Sequence, residues 1–157
     1  MQQDSEPAVE VQQRKREYSL LLIEDNPGDV VMMREALREN GLPVELQVSR
    51  HGEGALHQLQ HAAAHGEALP DLILLDLNLP SMHGLEVLAA IKSDPALQQI
   101  PVLILTTSTA ARDVENSYRL HANSYLTKPM DFSRFVALVR AVHDFWLSLS
   151  VPPATTH

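Results

Sequence analysis

The run Asp71-Leu72-Ile73-Leu74-Leu75-Asp76 constrains this chain most. Four consecutive aliphatic residues between two acids are too short for a buried helix. They lack the alternation of a strand with one wet face. Such a run fits a central strand of a parallel sheet, covered on both faces. It also delivers one carboxylate, Asp76, to its C-terminal tip. The run Tyr18–Ile23 ends in the same way on Glu24 and Asp25, and Ser124-Tyr125-Leu126-Thr127 ends on Lys128.

Two further runs complete the strand set. Val102–Thr106 is apolar, and Val44–Ser49 alternates apolar and polar as a half-exposed strand. Between them lie helical segments. Asn26-Pro27-Gly28-Asp29 reads as a turn with a cap, and the helix through Met33, Ala36 and Leu37 stops at Asn40-Gly41. Further helices are predicted over 53–64, 85–92, 110–120 and 131–149, with His65–Pro70 and Pro80–Gly84 as loops. Strands three and five are predicted over Leu72–Asp76 and Asn123–Thr127. Five β–α units imply a parallel sheet with helices on both faces. Ligands of such sheets bind outside the strand C-termini, where strand order reverses. Glu24, Asp25 and Asp76 are therefore expected in one cleft with Lys128. Crowded carboxylates with a lysine suit a hard cation and a phosphoryl group, because a metal and an ammonium offset their repulsion.

Composition narrows the classes. With 157 residues the chain suits one domain with a real core. A formal charge of −8 argues against a nucleic-acid surface. The absence of cysteine excludes disulfides, thiol catalysis and cysteine zinc sites. Residues 1–17 are polar, carry Arg14-Lys15-Arg16 and lack the apolar core of a signal peptide; they read as a flexible arm, and 150–157 as a tail. No apolar run approaches the roughly 20 residues of a membrane span. A soluble cytoplasmic protein is expected.

Each marked residue also has a plain reading. Glu24 and Asp25 could cap the first helix, Tyr125 could be a core residue with a wet hydroxyl, and Lys128 a solvated cation. His57, His61 and His65 recur every fourth residue, but no converging acid is evident, so a solvated helix face is preferred to a zinc site. No Gly-rich phosphate loop supports an ATPase. Asp76-Leu77-Asn78 lacks the second acid of the Asp-x-Asp phosphohydrolases.

The pieces Leu22-Ile23-Glu24-Asp25-Asn26, Leu74-Leu75-Asp76-Leu77-Asn78-Leu79-Pro80, Leu105-Thr106-Thr107-Ser108 and Ser124-Tyr125-Leu126-Thr127-Lys128-Pro129 occur in order at strand ends. From about Tyr18 to Leu149 the chain resembles a response-regulator receiver domain of bacterial two-component signalling. The resemblance implies a flavodoxin-like, doubly wound five-stranded sheet of order 2-1-3-4-5. Asp76 would be the phosphoacceptor. Glu24, Asp25, Asp76 and the Asn78 backbone carbonyl would hold Mg²⁺, with Thr106 and Lys128 on the phosphoryl group. Thr106 and Tyr125 would form the switch. The chain would hydrolyse its own aspartyl phosphate without turning over an external substrate. Two departures stand out: His83 where an acid is common, and His121 where a glycine is common. If the latter turn needs a positive φ, histidine adopts it at some cost.

On the last helix Phe132, Val136, Val139 and Trp146 form one apolar stripe, and Phe135, Leu138, Val142, Phe145 and Leu149 a second. A second stripe has nowhere to go in a monomer. A C2 homodimer through Phe135, Leu138, Val142, Phe145, Trp146 and Leu149 is therefore expected, with the tail through Pro153 as an arm. Glu24-Asp25-Asn26-Pro27-Gly28-Asp29, the loop before Pro70-Asp71, Thr106-Thr107-Ser108 and Phe145-Trp146 resemble the stand-alone receivers that accompany bacterial phytochrome histidine kinases. That resemblance implies a bacteriophytochrome as phosphoryl donor and signalling through the surface of helix four, strand five and helix five. Passing phosphate to a histidine phosphotransfer protein would be one output. The competing expectation is a receiver-fold dimer scaffold that works without phosphorylation.

Overall fold

In a computed structural model, which describes residues 17–149, five parallel strands form one sheet in the order β2-β1-β3-β4-β5. The strands are β1 (Tyr18–Ile23), β2 (Val44–Ser49), β3 (Leu72–Leu75), β4 (Val102–Thr106) and β5 (Ser124–Thr127). The helices are α1 (Pro27–Asn40), α2 (Gly52–Ala64), α3 (Gly84–Ser93), α4 (Ala111–Arg119) and α5 (Phe132–Val142). The arm and the tail expected at the two ends lie outside the described residues, apart from Glu17. No helix among the described residues is long and apolar enough to cross a membrane.

Strand pleating explains the two cores. Leu20, Leu22, Leu72, Leu74, Leu103 and Leu105 face α1 and α5, while Leu21, Ile23, Ile73, Leu75 and Ile104 face α2 and α3. All four residues of β3 and all five of β4 are buried, whereas β2 at the edge alternates. The short apolar run thus needs both layers, as a central strand should.

Helix ends follow side-chain chemistry. Asn26 caps α1, its Oδ1 accepting from the N–H groups of Gly28 (2.8 Å) and Asp29 (3.2 Å). Gly41, at φ 62°, ends it. His83 caps α3: its Nδ1 accepts from the Leu85 N–H, and Glu86 accepts from the His83 N–H. The histidine at that loop is therefore a cap. His121 has φ 74°, so its turn does require the left-handed region, and Ser81 at φ 69° is a second such residue that the sequence did not mark.

The last helix corrects the expectation of one α-helix over 131–149. After Val142 the backbone continues as a π-helical segment over His143–Leu149. Its wider turn brings residue i+5 under residue i. Val142 and Leu147 are accordingly both buried, whereas Phe145 is 58% exposed and Trp146 half-buried. Phe135, Val139 and Val142 all face the sheet, so the division into two stripes is wrong in detail. Phe135 and Val142 are consumed by the chain's own core and cannot serve an interface, and Leu138 is partly so. The side chain of Leu149 lies outside the described residues.

Gly84 closes the loop that follows β3. Its N–H donates to the Leu77 carbonyl at 3.0 Å, and a Cβ there would press on the Asp76 carbonyl oxygen and stand 2.6 Å from the Leu77 Cα. The obstacles are backbone atoms that cannot swing aside. Gly84→Ala should therefore cost about 2 kcal/mol, read as a lower urea midpoint; an unchanged midpoint would show that the loop is not tightly set.

Candidate functional site at the sheet's C-terminal edge

The register brings the marked residues together. Ile23 pairs with Leu75 across β1 and β3, so Glu24, Asp25 and Asp76 leave neighbouring strand ends. The Asp76 N–H donates to the Ile23 carbonyl at 3.1 Å, extending that pairing to the site. Thr106 pairs with Thr127 across β4 and β5, and the Lys128 N–H donates to the Thr106 carbonyl at 2.8 Å. Both ends of the cluster are thus pinned by backbone hydrogen bonds.

Lys128 is the hub. Its Nζ donates to Glu24 Oε1 at 2.7 Å, to Asp29 Oδ2 at 2.8 Å and to Asp76 Oδ2 at 3.3 Å. Glu24 and Asp76 are buried, at 2% and 6% exposure. Burial works against the charge on Lys128, but its hydrogen bonds to Asp29 and Glu24 and the Asp76 charge outweigh it and raise its pKa. Burial pushes the Glu24 carboxyl up to about 7, with the Asp76 charge adding to the rise and Lys128 opposing it. Glu24 also accepts from the Asn26 N–H at 3.2 Å. Asn26 is the true cap of α1, so neither acid is a capping residue.

Asp25 sits half-exposed, and among the described residues its carboxylate makes no hydrogen bond; the Asp25 carbonyl accepts from Arg50. The Asn78 N–H approaches Asp76 Oδ1 at 3.3 Å. Among the described residues no three acidic or imidazole groups converge closely enough to enclose an ion. The expected ligand set of Glu24, Asp25 and Asp76 is therefore not preassembled, because the Lys128 ammonium lies between Glu24 and Asp76. The donor set still suits a hard cation. Three carboxylates, those of Glu24, Asp29 and Asp76, share one ammonium, and the Asp25 carboxylate leaves the same strand end as Glu24.

Thr106 and Tyr125, the residues expected to form a switch, lie beside the cluster. Thr106 is fully buried at the end of β4 and its hydroxyl accepts from the Ser108 N–H at 3.4 Å. The Tyr125 hydroxyl donates to the Ser108 carbonyl at 2.9 Å, and Ser108 donates to Asp113 at 2.6 Å. The Tyr125 N–H in turn donates to the Tyr118 hydroxyl at 3.0 Å. Two residues of this edge carry no functional mark in the sequence. Asp29 reads there only as part of a turn, although a carboxylate in the first turn of the helix after β1 is placed to reach this edge. Ser108 reads only as part of a motif. The histidines of α2 do not join the site: His61 and His65 stack at 4.0 Å on an exposed face.

A family profile described as response regulator receiver domain matches residues 20–140. The response regulator Rcp1 of a Synechocystis species is 42% identical over 136 residues, covering 86% of this chain and 92% of the relative. The phosphorylated cyanobacterial phytochrome response regulator RcpA superposes with a TM-score of 0.81 at 42% identity, over 88% of this chain and 100% of that one. The Mn²⁺-bound form of Rcp1 gives a TM-score of 0.78 at 41% identity, over 87% and 99%.

The raised Glu24 carboxyl has a consequence for stability. Between its ordinary 4.5 and about 7 the folded chain binds more protons than the unfolded chain. This group's contribution to stability is therefore greatest below 4.5 and falls as pH rises through 7. Thermal unfolding in a chelator should show that decline, and Glu24→Gln should flatten it. An equal slope in the variant would mean that Glu24 ionises normally.

Proposed function

The chain belongs to the response-regulator receiver family, and from that membership and the Lys128–Asp76 geometry we propose that it accepts a phosphoryl group on Asp76 from a sensor histidine kinase, in a reaction supported by Mg²⁺. The observation that carries the proposal is the Lys128 ammonium, held within hydrogen-bond reach of Asp76 beside a buried glutamate. An Asp76 oxygen would bond to phosphorus as the P–N bond of the donor's phosphohistidine breaks, and the imidazole leaves. Phosphoryl transfer needs positioning and charge neutralisation more than covalent help. Lys128 supplies one positive charge to the transferring oxygens. Glu24, Asp25, Asp76 and the Asn78 carbonyl would hold the cation, which when bound supplies the remaining neutralisation. Hydrolysis of the chain's own aspartyl phosphate ends the signal, and no external substrate turns over.

The readout is proposed at α4, β5 and α5. In α4 only Ser117 is buried, and the helix is tied to its surroundings by the Ser108–Asp113 and Tyr118–Tyr125 bonds. A new bond donated by the Thr106 hydroxyl to a phosphoryl oxygen would draw that side chain toward Asp76 and away from the Ser108 N–H, from which it now accepts. The shift would pass through Ser108 to Tyr125 and α4. A protein donor is supported by Val31, Met130 and Phe132, exposed apolar side chains on the two segments that carry Asp29 and Lys128. The likeness to phytochrome response regulators supports a bacteriophytochrome as that donor, acting in the cytoplasm, with a histidine phosphotransfer protein as one onward acceptor. The exposed ring of Phe145, edge-on to Trp146 at 5.2 Å, supports a homodimer through the π-helical segment that follows α5.

Incubation with acetyl phosphate and Mg²⁺ should add one phosphoryl group by intact mass, and chelator or Asp76→Asn should abolish it. Lys128→Ala should still be labelled yet show no change in amide exchange in α4; a full response in that variant would refute the role given to Lys128. No labelling by acetyl phosphate or by a phosphorylated kinase would favour the scaffold expectation instead. Phe145→Asp should yield monomers by light scattering, and an unchanged dimer mass would move the interface elsewhere.

A further inference from the structure

We propose that Asp29 is a positioning residue, the acceptor to which the Lys128 ammonium is handed when a divalent cation takes Glu24 and Asp76. The inference rests on the reading of the site above. An ammonium has three N–H donors, and here all three are engaged by Glu24, Asp29 and Asp76. Any newcomer at those carboxylates must therefore displace the ammonium from some of its partners. A cation on Glu24 and Asp76 competes for the same oxygens and repels the ammonium across a few ångströms of low-dielectric space. Asp29 is the one partner outside that set. It comes from the first turn of α1 rather than a strand end, and its side chain is 33% exposed against 3% for Glu24 and 8% for Asp76.

The plain alternative is that Asp29 merely complements the positive end of the α1 dipole. That role needs no partner. Instead its carboxylate meets Lys128, 99 residues away in sequence, at 2.8 Å, shorter than the contact to Asp76. Capping does not occupy it either, because Asn26 receives the free N–H groups of the first turn. Asp29 touches no reacting atom; it acts through where Lys128 can go. Without it, the ammonium has only the two buried carboxylates and stays in competition with the cation.

The test is a double-mutant cycle on Mn²⁺ affinity in the full chain, read from the paramagnetic signal of the free ion at about 0.15 M salt. Thermal unfolding establishes that each variant is folded. Asp29→Asn should weaken Mn²⁺ binding about fivefold, a typical coupling between residues that share a partner. On the Lys128→Ala background the same substitution should change affinity less than about twofold. Asp29→Glu should restore most of the loss, since it keeps a carboxylate that can reach Lys128. Equal losses on both backgrounds would reduce Asp29 to a distant negative charge, and no loss in the single variant would remove it from the site. Both of those outcomes leave the cation reading standing. Failure of the unsubstituted chain to bind Mn²⁺ would overturn that reading and this inference together.

Discussion

The ammonium of Lys128 is the contact on which the charged edge of this sheet depends. β1 and β3 each end on acids, and parallel pairing forces those acids side by side. With aliphatic residues filling both faces, the acids have no direction in which to retreat. A single buried cation bridging the ends of β1 and β3 and the first turn of α1 makes the crowding tolerable. The arrangement is costly to dismantle, because removing one partner leaves an uncompensated buried charge. Three carboxylates share that one ammonium, and burial holds the Glu24 carboxyl well above its ordinary range.

Rigidity is distributed unevenly around this edge. α1 and α5 pack on one face and are joined by a bond from the Asn40 side chain to the Val136 carbonyl at 3.0 Å. α2 and α3 contribute buried aliphatic residues to the other face. α4 contributes almost none, and polar contacts to Ser108 and Tyr125 replace packing. Local opening is easiest where few apolar contacts must be broken. The element tied to Ser108 and Tyr125 is thus the one with the fewest buried apolar contacts to lose.

Most of this was legible in the chain because it follows from short-range rules. Apolar runs fixed the strands, and acids or a lysine at their ends fixed the edge. Asn26-Pro27 and Asn40-Gly41 marked the ends of α1. What was hidden depended on distance or backbone geometry. Nothing local says that Asp29 reaches Lys128, since the two meet only when the ends of β1 and β5 lie near one edge. The ammonium between Glu24 and Asp76 follows from the same closure. His121 stood out because the resembled family commonly has a glycine there, whereas Ser81 adopts a left-handed φ with no such departure to announce it. The spacing of Phe145 and Trp146 misled because counting by three and four presumes an α-helix.

The π-helical turns after Val142 act as a change of gear. Continued as an α-helix, the segment would place Phe145 and Trp146 in line with Val142 and turn Leu147 away from the sheet. Widening the turn reverses that choice, seating an aliphatic residue inside and leaving a pair of rings at the rim. Which side chains this protein shows to its surroundings at that end is therefore decided by helical pitch as much as by composition. A sequence with the same apolar content but one residue fewer in this stretch would present a different face.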